Sequence, residues 1–583
     1  MRLVATGLFI FLGSWLEAYG GVFRYNDAGQ ICRWNLDKSS PAIHTNSVNP
    51  RTKAIRFYIG SDGFSGVNLD AELNAVRACF AQWESVGRTR LRFEEGGLIA
   101  PPVDVNVNDH TNVVFWAKRV TLVNGGLDDI SGALGYTYYR YSSDHTLLEA
   151  DIVLNGVEFP WFCDFDRDDS ESRFIEGVVL HEIGHWIGLD HSPVGGATML
   201  ARSLGGINAQ VGLASDEICA VRHLYPDASV AADFSCLQGT ILRNGRGVAG
   251  AVVIVEDQTG NVIQGTVSQM NGQYLLPALP PGTHAVRVCP LDPAQASSAL
   301  LRGRDITSNP TFIPATDFRP TTNLMVNLIA GISKTLALHV EEGEPSFRIS
   351  RIRPPTTNST YWRVINAPAS LVLGTRNVYI GVYGPNLPVS GAILSIDGDG
   401  LTLGPTLFQP AAFTGLNMVS TAVTVASNAT PGLRTLRLTR GSDRAYANGF
   451  VEILPSSPDD NFDGLDDRFQ RQYFPLFTAA EAHPEADPDQ DGFPNFAEFW
   501  SGTDPTDPHS CLRIDRIRKT DLGMELHAAA RPGKRYRLLS RGDGAQGVWT
   551  PVRPSELALD DFIQFIDPAP HESARYYRLE ALP

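Results

Sequence analysis

Three histidines and a glutamate fall within one short segment, His181 to His191. On a helix, side chains at i and i+4 share a face, so His181 and His185 can direct two imidazoles at one metal ion. Glu182 stands beside the first histidine and can reach a water at that ion without being a ligand. Gly188 permits a turn that costs other residues energy, and that turn returns His191 as a third nitrogen ligand. Three protein ligands leave the fourth position of a zinc ion open, as in catalytic sites.

The extended pattern HExxHxxGxxH is much more specific than HExxH alone. A zinc ion held by His181, His185 and His191 would supply an activated water for peptide-bond hydrolysis. Glu182 would take the proton of that water and pass it to the leaving amine. The sequence therefore predicts a zinc-dependent metalloendopeptidase. The alternative is a secreted adhesion or binding protein with a latent or inactive zinc site. Glu182 favours the enzyme, because a binding protein has no reason to hold a general base there.

Helices and strands around this motif must position it, and their patterns indicate a mixed α and β region from about residue 22 to 228. Phe174 to Gly188 is predicted as the helix that carries the first two histidines. Another helix is indicated by apolar residues at helical spacing: Leu69, Leu73, Val76, Phe80 and Trp83. A third helix is predicted to begin at Ser215 and to end before Pro226. Strands are predicted at 51–59, 113–116 and 150–154.

Several separated segments of this region resemble the matrixin branch of the metzincin metalloproteases. Met199, within Ala-Thr-Met-Leu, occupies the place of the Met-turn that packs beneath the zinc ligands. The other similar segments are RACFAQWESVGRTRLRFEE (77–95), GALGYTY (132–138), LEADIVLN (148–155) and LASDEICAVRHLYP (213–226). The resemblance implies an α+β zincin catalytic domain, a catalytic Zn²⁺ and protein or peptide substrates. It also implies that residues 132–138 are an upper-rim strand that pairs with an extended substrate.

Three features depart from the family pattern. Leu200 and Ala201 follow Met199, so the tyrosine that adds a ligand in astacin-like relatives is missing. The Pro-x-Tyr wall that matrixins place after the Met-turn is also missing, which leaves the specificity pocket undetermined. The sequence has no propeptide motif of the form PRCGxPD, so the route of latency and activation stays open. Cys32 as a zinc-blocking thiolate is less favoured than Cys32 as a disulfide partner.

The N-terminus predicts export. Arg2 precedes an apolar run from Leu3 to Leu16, and Ala18 and Gly20 follow. This pattern is typical of a secretory signal peptide, assigned to residues 1–20, and the run is shorter than the roughly 20 residues of a membrane span. We therefore expect a secreted, extracellular or cell-surface-associated protein without a transmembrane span.

Charge and composition exclude several classes of protein and partner. The 48 Lys and Arg residues are outnumbered by 64 Asp and Glu residues, for a net charge of −16. Without a basic cluster, nucleic acid is a poor partner. With 54 glycines, 38 prolines and only 19% charged residues, the chain is β-rich and globular, neither disordered nor a coiled coil. At about 150 residues per domain, its 583 residues suggest about four domains.

Unlike modules follow the catalytic region. Residues 245–288 resemble the carboxypeptidase regulatory-like fold, and residues 347–454 faintly resemble an Ig-like domain of the TIG type. The predicted fold class is multi-domain, an α+β metzincin (zincin) catalytic domain followed by β-sandwich modules and a calcium-loop linker. The domains after the signal peptide are a protease domain (21–230), two β-sandwiches (233–345 and 346–455), the linker (456–510) and a small β-domain (511–583). The β-sandwiches are expected to be rigid spacers or docking surfaces for a substrate or cell surface.

Two acidic loops in the linker predict structural Ca²⁺. In the stronger loop, oxygen donors fall at the alternating positions of a calcium-binding loop, with a turn glycine at position 6. Its ligands would be Asp487, Asp489, Asp491, the Phe493 carbonyl, Asn495 and Glu498. The weaker loop has Gln470 at position 12, and its ligands would be Asp459, Asn461, Asp463, the Leu465 carbonyl and Asp467. Such paired loops resemble the calcium linkers of large secreted bacterial proteins and thrombospondin type-3 repeats.

Seven cysteines in an exported chain make disulfides permissible. Cys236 and Cys289 flank one short β-domain and are the favoured candidates for a bridge. The four cysteines before residue 230 allow three pairings that the sequence does not separate.

Overall fold

The computed structural model describes residues 2–5, 23–25, 30–37, 47–163, 172–201, 212–291, 314–360, 365, 367–542, 548–568 and 575–582. The chain divides into two compact units, Met1–Ser456 and Ser457–Pro583. The predicted protease domain and both predicted β-sandwiches thus fall in one unit. Over the described residues, no helix has the length and apolar character needed to cross a membrane.

The predicted protease domain is built on a seven-stranded sheet in the order β1-β8-β9-β5-β3-β4, with β2 beside β9. Strands β3, β4, β5 and β9 run parallel, whereas β8 is antiparallel to β9. The short pairs β6–β7 and β10–β11 lie outside this sheet. The strands of the region are β1 (Arg2–Ala5), β2 (Arg33–Trp34), β3 (Ile55–Gly60), β4 (Phe93–Ile99), β5 (Val113–Ala117), β6 (Leu122–Val123), β7 (Asp128–Asp129), β8 (Gly135–Tyr141), β9 (Thr146–Asn155), β10 (Trp161–Phe162) and β11 (Arg173–Phe174).

Strand β1 lies at the edge of the sheet and pairs with β8, in a register that joins Arg2–Ala5 to Tyr138–Tyr141. These four residues belong to the predicted signal peptide, whose other residues lie outside the described part of the chain. The signal-peptide assignment stays a prediction.

Two helices pack against this sheet and each other, α1 (Leu69–Ser85) and α2 (Ile175–Trp186). The predicted apolar face of α1 is confirmed, since Leu73, Val76, Phe80 and Trp83 are all buried and Leu69 packs at their edge. The indole of Trp83 donates to the Leu180 carbonyl over 3.0 Å, which fixes α1 along α2. The indole of Trp186 donates to Ala150 in β9 over 2.9 Å and fixes α2 on the sheet. Helices α3 (Ser215–Leu224) and α4 (Val230–Asp233) are the last elements of this region along the chain.

The first β-sandwich encloses its own apolar core between two sheets. One sheet has the order β13-β12-β16, with β19 and β20 also along β12, and the other has the order β15-β14-β17-β18. The strands are β12 (Ser235–Arg243), β13 (Arg246–Gly247), β14 (Ala251–Glu256), β15 (Val262–Val267), β16 (Gln273–Leu279), β17 (Gly282–Pro290), β18 (Leu324–Leu328), β19 (Ser333–Thr335) and β20 (Leu338–His339).

The predicted bridge between Cys236 and Cys289 is not formed, and both cysteines are free thiols. Successive side chains of a strand point to opposite faces. Leu237 in β12 and Val288 in β17 point into the sandwich core, so the adjacent cysteines point away from it, on different sheets. Cys289 instead packs in a second apolar cluster with Val194 of the protease region. A disulfide requires the two Cβ atoms to approach within about 4.5 Å, and two opposed outer faces do not allow that.

The second β-sandwich follows directly and also has a core between two sheets. Their orders are β21-β23-β27-β25, with β26 also along β27, and β22-β29-β28-β24. The strands are β21 (Arg351–Thr356), β22 (Ala369–Val372), β23 (Val378–Gly384), β24 (Ile393–Ile396), β25 (Leu401–Leu403), β26 (Leu407–Phe413), β27 (Leu416–Val425), β28 (Gly432–Arg440) and β29 (Asp443–Leu454).

The second unit begins with the two acidic loops and short helices and ends in a small β-domain. Its helices are α5 (Asp467–Tyr473), a 3-10 turn (Ala480–Ala482) and α6 (Asn495–Ser501). The β-domain has sheets β30-β31-β35 and β33-β32-β34, with β36 also along β32. Its strands are β30 (Ile514–Thr520), β31 (Gly523–Ala529), β32 (Arg535–Arg541), β33 (Thr550–Pro551), β34 (Glu556–Leu557), β35 (Phe562–Asp567) and β36 (Tyr576–Leu582).

Candidate active site

Helix α2 carries His181, Glu182 and His185 and ends where the motif requires a turn. Gly188 has a φ of 106°, in the region that favours glycine. A Cβ at Gly188 would also overlap the Cys32 carbonyl oxygen, so a side chain is excluded on two grounds. The turn brings His191 back beside the helix, as the spacing predicts.

The three imidazoles converge. The Nε2 atoms of His185 and His191 lie 3.2 Å apart, and one nitrogen from each of the three rings lies within 4.8 Å of the others. Nδ1 of His181 donates to the Thr198 carbonyl over 2.7 Å, and Nδ1 of His185 donates to the Leu189 carbonyl over 3.0 Å. Because a carbonyl only accepts, each Nδ1 carries the proton and each Nε2 presents a lone pair.

This donor set fits zinc. Tetrahedral coordination with Zn–N bonds of about 2.0–2.1 Å places ligand nitrogens about 3.3 Å apart, close to the observed separation of His185 and His191. Burial, together with the neighbouring His191, lowers the pKa of His181 to about 3. Burial and the two neighbouring histidines also hold the pKa of His185 well below its usual range. Both rings are therefore neutral at physiological pH, which is the form that binds a metal.

Glu182 lies beside the histidines on α2, and its side chain is directed toward strand β8. Its side chain is buried, and the Thr137 hydroxyl lies 2.7 Å from its Oε2. Burial raises the pKa of Glu182 to about 7, and the hydrogen bond from Thr137 opposes that rise. A Cβ added at Gly135 would lie 3.0 Å from the Glu182 side chain, so the backbone of β8 passes close to the carboxylate. Gly135–Thr137 lie outside the register of β1.

Met199 is fully buried beneath the histidines, in the place expected for a Met-turn. A Cβ at Gly184, between the first two histidines, would overlap the Met199 sulfur. Gly184 is thus a required residue that the sequence analysis missed, because the HExxH pattern leaves that position open. The buried carboxylate of Glu217 accepts the Met199 amide over 2.8 Å, and it was also missed as a supporting residue.

The stronger acidic loop brings its predicted oxygens together in the second unit. Asp487, Asp489 and Asp491 converge, and Gly492 has the positive φ of 95° that the turn needs. Asn495 and Glu498 are fully buried on α6. Within the described residues, six buried side-chain oxygens of this loop have no hydrogen-bond partner: Asp487 Oδ1, Asp489 Oδ2, Asp491 Oδ2, Asn495 Oδ1 and both carboxylate oxygens of Glu498.

Glu498 shows the electrostatic result of this arrangement. Burial, together with the charges of Asp489, Asp491 and Asp487, raises the pKa of Glu498 to about 8. The nearby Thr503 hydroxyl partly offsets this rise in the pKa of Glu498. Neither carboxylate oxygen of Glu498 accepts a hydrogen bond of normal geometry. A buried carboxylate without a partner is costly, and a divalent cation would relieve the cost.

The weaker loop is arranged differently. The side-chain amide of Gln470 donates over 2.8 Å both to the Ala482 carbonyl and to Asp463. The Asn461 amide also donates to Asp463, over 3.0 Å. Amide protons thus face Asp463 where the stronger loop presents unpaired oxygens.

Two family models match the chain. Residues 51–226 match matrixin, and residues 237–302 match the carboxypeptidase regulatory-like domain. The expected resemblances to matrixins and to the carboxypeptidase regulatory-like fold are confirmed. The fold and the histidine site thus define a matrixin-type domain in the first unit, followed by a carboxypeptidase regulatory-like domain.

Curated relatives point the same way. Metalloendoproteinase 4-MMP of Arabidopsis thaliana is 32% identical over 153 residues, which are 26% of this chain and 38% of that protein. Metalloendoproteinase 5-MMP of the same plant is 47% identical over 51 residues, which are 9% of this chain and 14% of that protein. The chain therefore spans 38% and 14% of the lengths of these relatives.

Similarity to solved structures is slight. The minor pilin GBS52 of Streptococcus agalactiae aligns with 19% of this chain and 46% of its own, at 9% identity and a TM-score of 0.12. The major pilin BcpA of Bacillus cereus aligns with 60% of this chain and 87% of its own, at 10% identity and a TM-score of 0.15. TM-scores this low do not indicate a shared fold or function.

Proposed function

We propose that this chain is a secreted zinc-dependent metalloendopeptidase that hydrolyses peptide bonds with Glu182 as general base. The observation that carries the proposal is the convergence of three imidazole nitrogens beside a buried carboxylate, next to the part of β8 that lies beyond its pairing with β1. Zinc bound by His181, His185 and His191 would supply an activated water and polarise the scissile carbonyl.

The role of Glu182 follows from its position and pKa. A general base works best when its pKa lies near the operating pH, and burial brings this carboxyl to about 7. Glu182 takes the proton of the attacking water and returns it to the leaving amine. Thr137 on β8 orients the carboxylate through its hydrogen bond.

The substrate is a protein or peptide segment in extended form. Strand β8 is antiparallel to β9, and its residues Gly135–Thr137 are in position to hydrogen-bond a further strand on the outer side. Backbone pairing there would hold the substrate beside Glu182 with little regard to its side chains. This supports a preference for unfolded or flexible substrates.

We also propose that the second unit binds one structural Ca²⁺ through Asp487, Asp489, Asp491, Asn495, Glu498 and the Phe493 carbonyl. The six buried, unpaired side-chain oxygens support this proposal, because hard oxygen donors without protons suit a calcium ion. The weaker loop offers Asp459, Asn461, Asp463, Leu465 and Asp467. In that loop the Gln470 amide already donates to the Asp463 carboxylate, so we expect the loop not to bind Ca²⁺ tightly.

The decisive assay is cleavage of an unfolded protein substrate by the purified mature chain, beside Glu182→Ala, with zinc content measured on both. We expect cleavage by the wild type alone and about one zinc in each. Zinc without cleavage by the wild type would favour the adhesion or binding alternative with a latent site. A chain that binds no zinc would contradict the proposal.

A further inference from the structure

We infer that the two β-sandwiches are a working part of the zinc site, because together they clamp the loop that joins its third histidine to the Met-turn. This loop, Ser192–Thr198, is called the clamp loop below. The inference rests on the proposed function only in taking the three histidines as zinc ligands. It goes beyond the expectation that these modules are spacers or docking surfaces.

The second β-sandwich holds one side of the clamp loop. The Gly195 amide donates to the Asn448 carbonyl in β29 over 2.8 Å. A Cβ at Gly195 would overlap the ring of Phe450, and a Cβ at Gly196 would overlap the side chain of Leu433. The two glycines therefore allow the loop to lie directly on the sandwich surface.

The first β-sandwich holds the other side. A Cβ at Gly265 in β15 would lie 2.7 Å from Val194, and a Cβ at Gly449 in β29 would lie 2.5 Å from another methyl group of Val194. Val194, which is fully buried, thus fills a space between one glycine from each sandwich. Beside it, the buried carboxylate of Asp216 in α3 accepts the Gly265 amide over 2.7 Å.

The clamp loop is tied to the zinc ligands at both ends. The Ser192 amide, next to His191, donates to the Met199 carbonyl over 2.8 Å. The Thr198 carbonyl accepts Nδ1–H of His181 over 2.7 Å, which fixes the tautomer of that ligand. Displacement of the loop would therefore disturb two of the three ligands. Loss of such supporting contacts typically costs 10- to 100-fold in metal affinity.

Gly196 and Leu433 offer a direct test in the chain of 583 residues. The φ of Gly196 lies outside the left-handed region, so Gly196→Ala adds a methyl group without backbone strain of its own. We expect Gly196→Ala to weaken zinc binding about 10-fold or more, measured by competition with a chromogenic chelator. Leu433→Ala removes the overlapping side chain, so the double variant should recover most of that affinity. Residues in contact show such coupling, whereas independent sites do not.

Controls keep the test interpretable. Gly87→Ala is matched, because its added Cβ would meet no atom within 4 Å and its φ is likewise unrestricted, so its zinc affinity should equal that of the wild type. If Gly196→Ala does not fold, Val194→Ala removes packing without adding bulk and should weaken zinc binding several-fold. Circular dichroism and thermal unfolding establish that each variant is folded.

Unchanged zinc affinity in folded Gly196→Ala would overturn the inference, as would a double variant no better than Gly196→Ala alone. Zinc affinity is measured without substrate, so it tests the clamp separately from the proposed function. A wild-type chain that binds zinc but cleaves no substrate would contradict the proposed function but not the inference about the clamp loop.

Discussion

The hydroxyl of Thr137 lies 2.7 Å from the carboxylate of Glu182 and 2.9 Å from its main-chain oxygen. This contact joins strand β8, which we propose to bind substrate, to helix α2 at the residue proposed as general base. The strand that would bind substrate therefore also positions the group that would move the proton.

Thr137→Val tests this relationship, since valine keeps the shape and removes the hydroxyl. Loss of a hydrogen bond to a buried carboxylate costs about 1–3 kcal/mol, so we expect kcat/KM to fall about 10-fold with zinc content unchanged. The Thr137 hydrogen bond lowers the pKa of Glu182, so its loss raises that pKa. Because Glu182 acts when ionised, the acidic limb of the pH profile should move to higher pH. Thr137→Ser retains the hydroxyl and should stay near wild type; equal kcat/KM for the valine and serine variants would refute the role.

Gly188 should be intolerant of a side chain. Its φ of 106° and the adjacent Cys32 carbonyl both oppose alanine, so Gly188→Ala should displace His191. We expect less than one zinc per chain at concentrations that saturate the wild type, measured by metal analysis after dialysis. Gly97→Ala is the matched control, because its φ of 114° is also positive but an added Cβ would meet no atom within 4 Å. A fully zinc-loaded Gly188→Ala would contradict the assigned geometry of the turn.

Calcium should stabilise the second unit, and the effect should depend on pH. The pKa of Glu498 without a cation is about 8, above its ordinary value near 4.5. Between these values the folded state holds a proton that the unfolded state releases, so calcium-free stability falls as pH rises from about 4.5 to about 8.

Calcium binding removes this cost, so the gain in thermal stability on adding calcium should grow over the same pH range. At 100 times the Kd, calcium would add about 2.7 kcal/mol to the free energy of unfolding. Thermal scans of the full chain in calcium and in EGTA provide the measurement, with Glu498→Gln as the comparison. A calcium effect of equal size at pH 5 and pH 8 would count against Glu498 as a ligand.

The two acidic loops should differ in stoichiometry. Gln470 donates an amide to Asp463 where Glu498 presents a carboxylate, so the wild-type chain should bind one calcium ion tightly. Gln470→Glu supplies the missing carboxylate and should create a second site in isothermal titration. Two tight sites in the wild type, or one in the variant, would show that Gln470 does not decide binding.

Local spacing carried most of what the sequence predicted. The i, i+4 histidines, the turn at Gly188 and the apolar face of α1 depend on the geometry of single helices, and the structure has them where expected. The Met-turn was found through resemblance and not through spacing. Contacts between segments remote in sequence could not be predicted from local spacing, and the position of Val194 between Gly265 and Gly449 is an example.

The cysteine prediction failed for a related reason. Cys236 and Cys289 flank one module in sequence, but neighbouring core residues turn both side chains away from the shared core. Glu217 was likewise invisible as a partner of Met199, because its role depends on how α3 packs beneath the site.

The most direct test of the central claim compares wild type and Glu182→Gln, each with its zinc content measured, in the rate of cleavage of one quenched fluorescent peptide. Glutamine keeps the size of the side chain but cannot accept the proton. The account predicts equal zinc and a cleavage rate lower by about 10²- to 10⁴-fold, the usual contribution of a general base. Equal rates at equal zinc content would contradict it.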